Sequence, residues 1–224
     1  MIKVKPSIKV LWATANPAYI VALAASQTMK QFPEAKENTG KGLPYEPLIS
    51  FLYKAEHRSP LEHVVLCMQI TGVSRAFMAQ ITRHRLASYT CSSQHYQNYS
   101  KYPVIDSPYT ERMEMAMDDA MVAYDEAIKN GVPKDVARMC LPEAMTVNMI
   151  MTANAREWAE ILHQRLCYRN TAETRNVAWR MRDVLIDWFP QLFNHVGTQC
   201  KEDRCRQGKM QCVIGSSEGA RNEA

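Results

Sequence analysis

The chain has 224 residues, a formal net charge of +4 and an apolar fraction of 46%. This suits one globular domain with a real core, at roughly 100–200 residues per domain; the mild positive charge fits anionic small molecules and does not demand nucleic acid. No apolar run reaches the roughly 18 residues that a membrane span needs. Met1-Ile2-Lys3-Val4-Lys5-Pro6 also lacks the apolar stretch and cleavage site of a secretion signal, so the expected location is cytoplasmic. Seven cysteines in such a chain read as reduced thiols or metal ligands, not as a disulfide framework.

Ile8, Val10 and Trp12 alternate with Lys9 and Leu11 and predict a first strand. Asn16-Pro17 supplies a cap and a first helical residue, and the Ala-rich stretch from Pro17 to about Phe32 predicts a helix. Residues 33 to 44 carry Pro33, Asn38, Gly40, Gly42 and Pro44 and read as a loop, followed by a short helix from Tyr45 to Ala55. His57-Arg58-Ser59-Pro60-Leu61-Glu62-His63 then precedes a strand with Val64, Leu66, Met68 and Ile70 on one face. Glu62 and His63 read as a capping pair at that strand's start. From Ser74 to Thr82, Ala76, Phe77 and Ile81 fit a helix that delivers Arg83 at its end, with Gln80 one turn before His84.

Residues 83 to 96 place two arginines, two histidines, three serines, a glutamine and two tyrosines within fourteen positions. No apolar period runs through them, so the stretch cannot bury one face as an ordinary helix or strand does. Arg83 and Arg85 offer fixed, always-charged forks for phosphate or another anionic oxygen. The serines and Gln94 add short-range hydrogen bonding, and Tyr89 and Tyr96 could flank a planar ring. The two readings are a site for a flat anionic molecule and a solvated basic turn.

Tyr96, Tyr99 and Tyr102 recur at every third residue and read as loop packing. Thr110 to Asn130 predicts a long helix with Met113, Met117, Ala120, Met121 and Tyr124 on one face, a stripe suited to core or subunit contact. Gly131 is its stop. Pro133 to Arg138 begins a short helix ended by Leu141-Pro142, with Cys140 expected to be packed. Met145, Val147, Met149 and Met151 alternate as a strand, and Thr152 to Arg156 leads into a helix reaching about Cys167. A last helix runs through Trp179, Met181, Val184, Leu185 and Trp188 to Phe189-Pro190. In the tail, His195, Cys200, Cys205 and Cys212 could complete a tetrahedral zinc shell. Their spacings of four, four and six residues do not match close Cys-x-x-Cys pairs, and no metal is assigned. A Gly-x-Gly-x-x-Gly dinucleotide loop is absent.

Arg83-His84-Arg85, seven residues and then Ser93-Gln94-His95-Tyr96 resemble the signature of the flavin-dependent thymidylate synthases, which ends in Ser-x-Arg-Tyr. His57 to His63 is similar to that family's His-x-Ser/Thr-Pro-x-Glu-His segment, and Gln80 with Arg83 matches its Gln-x-x-Arg. Val136-Ala137-Arg138, Leu141-Pro142 and Asn154-Ala155-Arg156 occur in the family's order. Arg165-Leu166-Cys167-Tyr168-Arg169 followed by Glu173-Thr174-Arg175 resembles its Arg-x-Cys-x-Arg…Glu-Ile-Arg variant. The resemblance extends from about residue 57 to 175. Three positions depart from it: Cys91 replaces an acidic or amide residue, His95 the signature arginine, and Asn148 a strand arginine.

The resemblance implies an α+β subunit, an antiparallel sheet with packed helices, in a homotetramer whose active sites lie between chains. Residues 1–194 would form one catalytic domain and 195–224 a Cys-containing tail. It implies an FAD-dependent methyltransferase that reductively methylates dUMP to dTMP, with methylenetetrahydrofolate as carbon donor and NADPH as reductant. The pyrimidine nucleotide would meet Gln80, Arg83, Cys91, Ser92, Ser93, Gln94, His95, Asn148 and Arg175, with Arg175 and Ser93 as the catalytic pair. FAD would meet His57, Ser59, Arg83, His84, Arg85, Cys91, His163, Arg165, Arg169 and Asn170. Two rivals stay open: a related flavin and folate enzyme methylating or hydroxymethylating another pyrimidine nucleotide, and a basic module gripping nucleic acid through Arg83, Arg85, Arg165, Arg169 and Arg175. The second predicts steep salt dependence and no bound chromophore.

Overall fold

The structure is a computed structural model that describes residues 2–28, 45–202, 205 and 212. It separates into two compact units, Met1–Lys9 with Met68–Met151, and Val10–Cys67 with Thr152–Ala224. Strands β2 (Ser7–Ala13), β3 (Val65–Ser74), β4 (Ser88–Cys91) and β6 (Thr146–Asn154) form an antiparallel sheet in the order β2-β3-β6-β4. Strands β2, β3 and β6 each continue from one unit into the other along the chain.

In the first unit, β1 (Lys3–Val4) pairs in parallel with β5 (Val104–Ile105). Helix α3 (Arg75–Ile81) follows β3 directly, and Ser74 stops the strand by capping the helix, its Oγ accepting from Phe77 N at 2.9 Å. Helix α4 (Glu111–Lys129) takes almost the expected bounds because its ends are chemically marked. Thr110 Oγ1 accepts from Met113 N at 3.3 Å, and Gly131 follows with a φ of 77°, a left-handed turn that glycine makes without strain. Of its expected apolar stripe, Met117 and Tyr124 are buried but Met113 is exposed. Tyr99, Val104, Tyr124, Ala137 and Met145 form the unit's core, flanked by Tyr102, Met121 and Ile128. Tyr99 stacks on Tyr102 with ring centroids 4.1 Å apart, which is the loop packing expected of them, whereas Tyr96 is exposed. Helix α5 (Lys134–Ala137) runs into a 3-10 turn, Arg138–Cys140. Cys140 is exposed there instead of packed, because the short turn points it outward and its thiol donates to Ala137 O.

In the second unit, α1 (Pro17–Ser26), α2 (Glu46–Lys54), α6 (Ala155–Arg165), α7 (Ala172–Trp188) and α8 (Pro190–Phe193) surround fully buried Ile49, Leu61, Trp158, Phe189 and Phe193. Helix α2 packs on α8, and α6 packs on α7 and on the 3-10 turn Ser59–His63. Helix α1 ends at Ser26, short of the expected bound, with Gln27 and Thr28 in a turn; the expected helix and loop from residue 29 through residue 44 lie outside the described residues. Asn16 precedes α1 in the left-handed region, φ 50°, and makes no side-chain cap. Glu62 is not a strand cap: it forms an ion pair with Arg156 of α6. The alternation of β2 does not bury its apolar face in this chain, since Val10, Leu11 and Trp12 are all exposed.

Candidate active site

The stretch around the Arg83 triplet belongs wholly to the first unit. Helix α3 ends at Ile81, and the chain turns back through a bond from His84 N to Ile81 O. Tyr89 fixes this turn, its hydroxyl donating to Ile81 O at 2.8 Å and to His84 O at 3.0 Å. The Tyr89 hydroxyl is thus committed to the backbone. His84 is buried beneath the turn, while Arg83 and Arg85 are exposed. Neither guanidinium has a hydrogen-bond or ion-pair partner among the described residues. Gln80 is exposed on the preceding turn of α3.

The stretch then does form a strand, contrary to its lack of apolar period. Strand β4 is held at the sheet edge by main-chain bonding to β6, which needs no buried side-chain face. Ser92 N donates to Asn148 O at 2.8 Å, and Asn148 N donates to Ser92 Oγ at 3.0 Å. Asn148 Oδ1 accepts from Gly72 N at 3.1 Å, and Tyr99 Oη reaches Ser92 Oγ at 3.4 Å. The asparagine in place of the family's arginine therefore ties three strands together. Its Nδ2 donates to nothing among the described residues. Ser93 Oγ accepts from His95 N at 3.2 Å, and the exposed His95 ring stands edge-on to Tyr96. Gln94 is buried with Nε2 unpaired among the described residues, a state that costs about 1–3 kcal/mol unless an acceptor arrives. Burial raises the Cys91 thiol above its usual pKa, and the Arg75 guanidinium offsets part of that rise.

The remaining site residues belong to the second unit. His57 is exposed beside the Phe51 ring, and Ser59 opens the 3-10 turn at the surface. His163 is buried, with both ring nitrogens engaged: Nδ1 faces Gly197 O at 3.1 Å and Nε2 faces the Tyr53 hydroxyl. A carbonyl can only accept, so Nδ1 carries the proton and Nε2 receives the phenol's hydrogen. His163 thus has both ring nitrogens committed to its own chain, which leaves the faces and edges of its ring for any contact with flavin. Arg165 is half-buried and Arg169 exposed. Asn170 Nδ2 donates to Gln164 O and Cys167 O, closing the loop after α6. Arg175 Nη1 donates to Asn170 O at 2.7 Å and Tyr168 O at 3.2 Å, which pins one side of the guanidinium. Its Nε and Nη2 remain open among the described residues.

Two arginines were not singled out from sequence. Arg58 lies over the Tyr53 ring at 4.9 Å with a buried, unpaired Nε, inside a motif already noted for its neighbours. Arg75 opens α3, where a cation is at the unfavourable end of the helix dipole; that mismatch was the available signal. In the tail, His195 faces Glu46 at 3.5 Å, and Cys200 has Cys205, Cys212 and Cys167 as neighbours. Burial, then those thiols, push Cys200 up to about 11. No group of three or more His, Cys, Asp or Glu among the described residues is arranged to hold a metal.

Exposed guanidinium forks, an orphaned buried amide and no carboxylate between residues 83 and 96 make a donor set that fits acceptor-rich, anionic ligands. Residues 9–191 match the family model described as "Thymidylate synthase complementing protein". The chain belongs to that family. Among its relatives is a flavin-dependent thymidylate synthase of Clostridium tetani, 32% identical over 231 aligned positions that cover 92% of each chain. A flavin-dependent thymidylate synthase of Geobacter sulfurreducens is 32% identical over 92% of this chain and 93% of its own. That of Sulfurisphaera tokodaii is 36% identical over 63% of this chain and 58% of its own. The thymidylate synthase complementing family match runs from β2 into α8, and thus includes both groups of site residues described above.

Proposed function

We propose that this protein is an FAD-dependent thymidylate synthase that reductively methylates dUMP to dTMP, with methylenetetrahydrofolate as carbon donor and NADPH as reductant. The observation that carries the reading is the family match over residues 9–191, which spans the Arg83 triplet and Arg175 alike.

Bound FAD, once reduced by NADPH, supplies the hydride for the one-carbon unit. Arg83 and Arg85 hold anionic oxygens of flavin or nucleotide; being exposed and unpaired, they lose no internal partner on binding. His84, buried under the turn closed by Tyr89, fixes their spacing. Ser92 and Ser93 offer hydroxyl donors, Gln94 gains an acceptor for Nε2, and Gln80 reaches the nucleotide from α3. His57, Ser59, Arg165, Arg169 and the loop held by Asn170 form the flavin side. Arg175 acts on the pyrimidine: with Nη1 fixed by two carbonyls, Nε and Nη2 are left to stabilise negative charge on the ring. That charge makes C5 nucleophilic. Positioning of nucleotide and flavin by these residues would supply much of the remaining acceleration.

Residues 1–194 act as one catalytic domain in a homotetramer, in the cytoplasm. The apolar surface of β2 at Val10, Leu11 and Trp12, and of α4 at Met113, Met115 and Val122, favours assembly; a sedimentation mass other than four chains would count against it. The purified protein is expected to be yellow, or to become so with FAD, and its flavin spectrum to respond to dUMP and not to dCMP. A colourless protein that FAD cannot reconstitute overturns the reading. A response to dCMP alone moves the substrate to another pyrimidine nucleotide.

A further inference from the structure

We propose that Arg75 is an anion-binding residue of this site, a guanidinium that contacts the phosphate monoester of the nucleotide. The inference rests on the proposed function for the identity of the anion.

The base of Arg75 is fixed. Its backbone N–H lies 3.1 Å from both Glu143 O and Met145 O, and Ser74 caps the helix that it opens. Met145 is three residues before Asn148, and Gly72, which donates to Asn148 Oδ1, is three residues before Arg75. The chain of bonds Gly72–Asn148–Ser92–Tyr99 therefore runs across the same end of the first unit that carries Arg75. From there its guanidinium acts electrostatically on both Cys91 and Tyr99, the neighbours of Ser92.

What Arg75 lacks is an acceptor. It is half-buried, and among the described residues its side chain makes no hydrogen bond and no ion pair. Cys91 and Tyr99 do not neutralise it, because burial raises both groups and keeps them protonated near neutral pH. A partly desolvated guanidinium that acts on a thiol and a phenol, and has no ion-pair partner among the described residues, is matched by an external anion with several oxygens. A phosphate monoester has that chemistry.

The test is calorimetric titration of the FAD-loaded protein with dUMP and, separately, with deoxyuridine, which lacks the phosphate. Arg75→Gln should weaken dUMP binding roughly 10- to 100-fold and leave deoxyuridine binding unchanged. Arg75→Lys, which keeps the charge without the fork, should fall between. Where Arg75→Gln does not fold, Arg75→Met keeps the apolar stem and gives the same comparison. If dUMP binds the variants as tightly as the wild type, or both ligands weaken equally, Arg75 has no phosphate role and the function proposed above stands. A wild-type protein that binds neither ligand overturns both.

Discussion

The arginines of this chain differ in what already holds them, and that difference separates structural from functional candidates better than residue type does. Arg156 is paired with Glu62, Arg182 Nε donates to Val196 O, and Arg175 is half-pinned by the carbonyls of Tyr168 and Asn170. Arg83, Arg85 and Arg75 have no such partner among the described residues. The cysteines divide in the same way. Cys91 is raised mainly by burial, whereas Cys200 combines burial with three neighbouring thiols and reaches about 11. A thiol raised in the folded state favours folding while it is protonated. The unfolded chain, with an ordinary thiol at 9.0, releases the proton first, so this contribution is complete below about pH 9 and fades as pH rises towards 11. Chemical denaturation across that window should show a steeper loss of stability in the wild type than in Cys200→Ser; equal slopes would remove the thiol cluster as the cause. All seven cysteines are free thiols. The fourth thiol of the group was not expected: Cys167 acts on Cys200 together with Cys205 and Cys212, while His195 turns to Glu46. Spacing within the tail could not reveal a partner that comes from the loop after α6.

At the scale of elements, sequence was most legible where an end is chemically marked. Thr110 and Gly131 bracket α4, Ser74 opens α3 and Asn154 opens α6 with its Oδ1 on Glu157 N. It was least legible where main-chain bonding alone makes the element. Strand β4 is only four residues long, so the alternation of Tyr89 and Cys91 with Ser88 and Thr90 is too short to announce it, and it is a strand because β6 offers it an edge. The same limit applies to Gly72 within β3. Its φ is 68°, and a Cβ there would lie 3.1 Å from Lys5 O, a backbone atom that cannot swing away. Gly131 also has a positive φ, 77°, but faces open space. Gly131→Ala should therefore cost only the left-handed strain, about 1 kcal/mol. Gly72→Ala should cost more, about 2–3 kcal/mol, since strain, overpacking and the Asn148 contact combine. Urea midpoints compare the two directly; equal losses would mean that the close approach of Lys5 does not matter.

At the scale of the whole molecule, the family signature nominated candidate site residues, but not which of their side chains already have partners within the chain. Residues 80–95 and 148 belong to one compact unit, and residues 57–59 and 163–175 to the other. Periodicity could place each on a helix, turn or strand. It could not show that His163 is occupied by Tyr53 and Gly197, that Tyr89 is spent on a turn, or that Gln94 is buried without an acceptor. Those facts arise from contacts distant in sequence. The central claim is that Arg83 and Arg175 both serve one reaction, the conversion of dUMP to dTMP. The direct measurement is formation of labelled dTMP from dUMP and methylenetetrahydrofolate by the FAD-loaded protein with NADPH, in the wild type, Arg83→Ala and Arg175→Ala. The account predicts dTMP from the wild type and losses in kcat of about 10²–10³-fold in Arg175→Ala, with a raised requirement for FAD or nucleotide in Arg83→Ala. No dTMP from wild-type protein that holds FAD, or undiminished turnover in both variants, would contradict it.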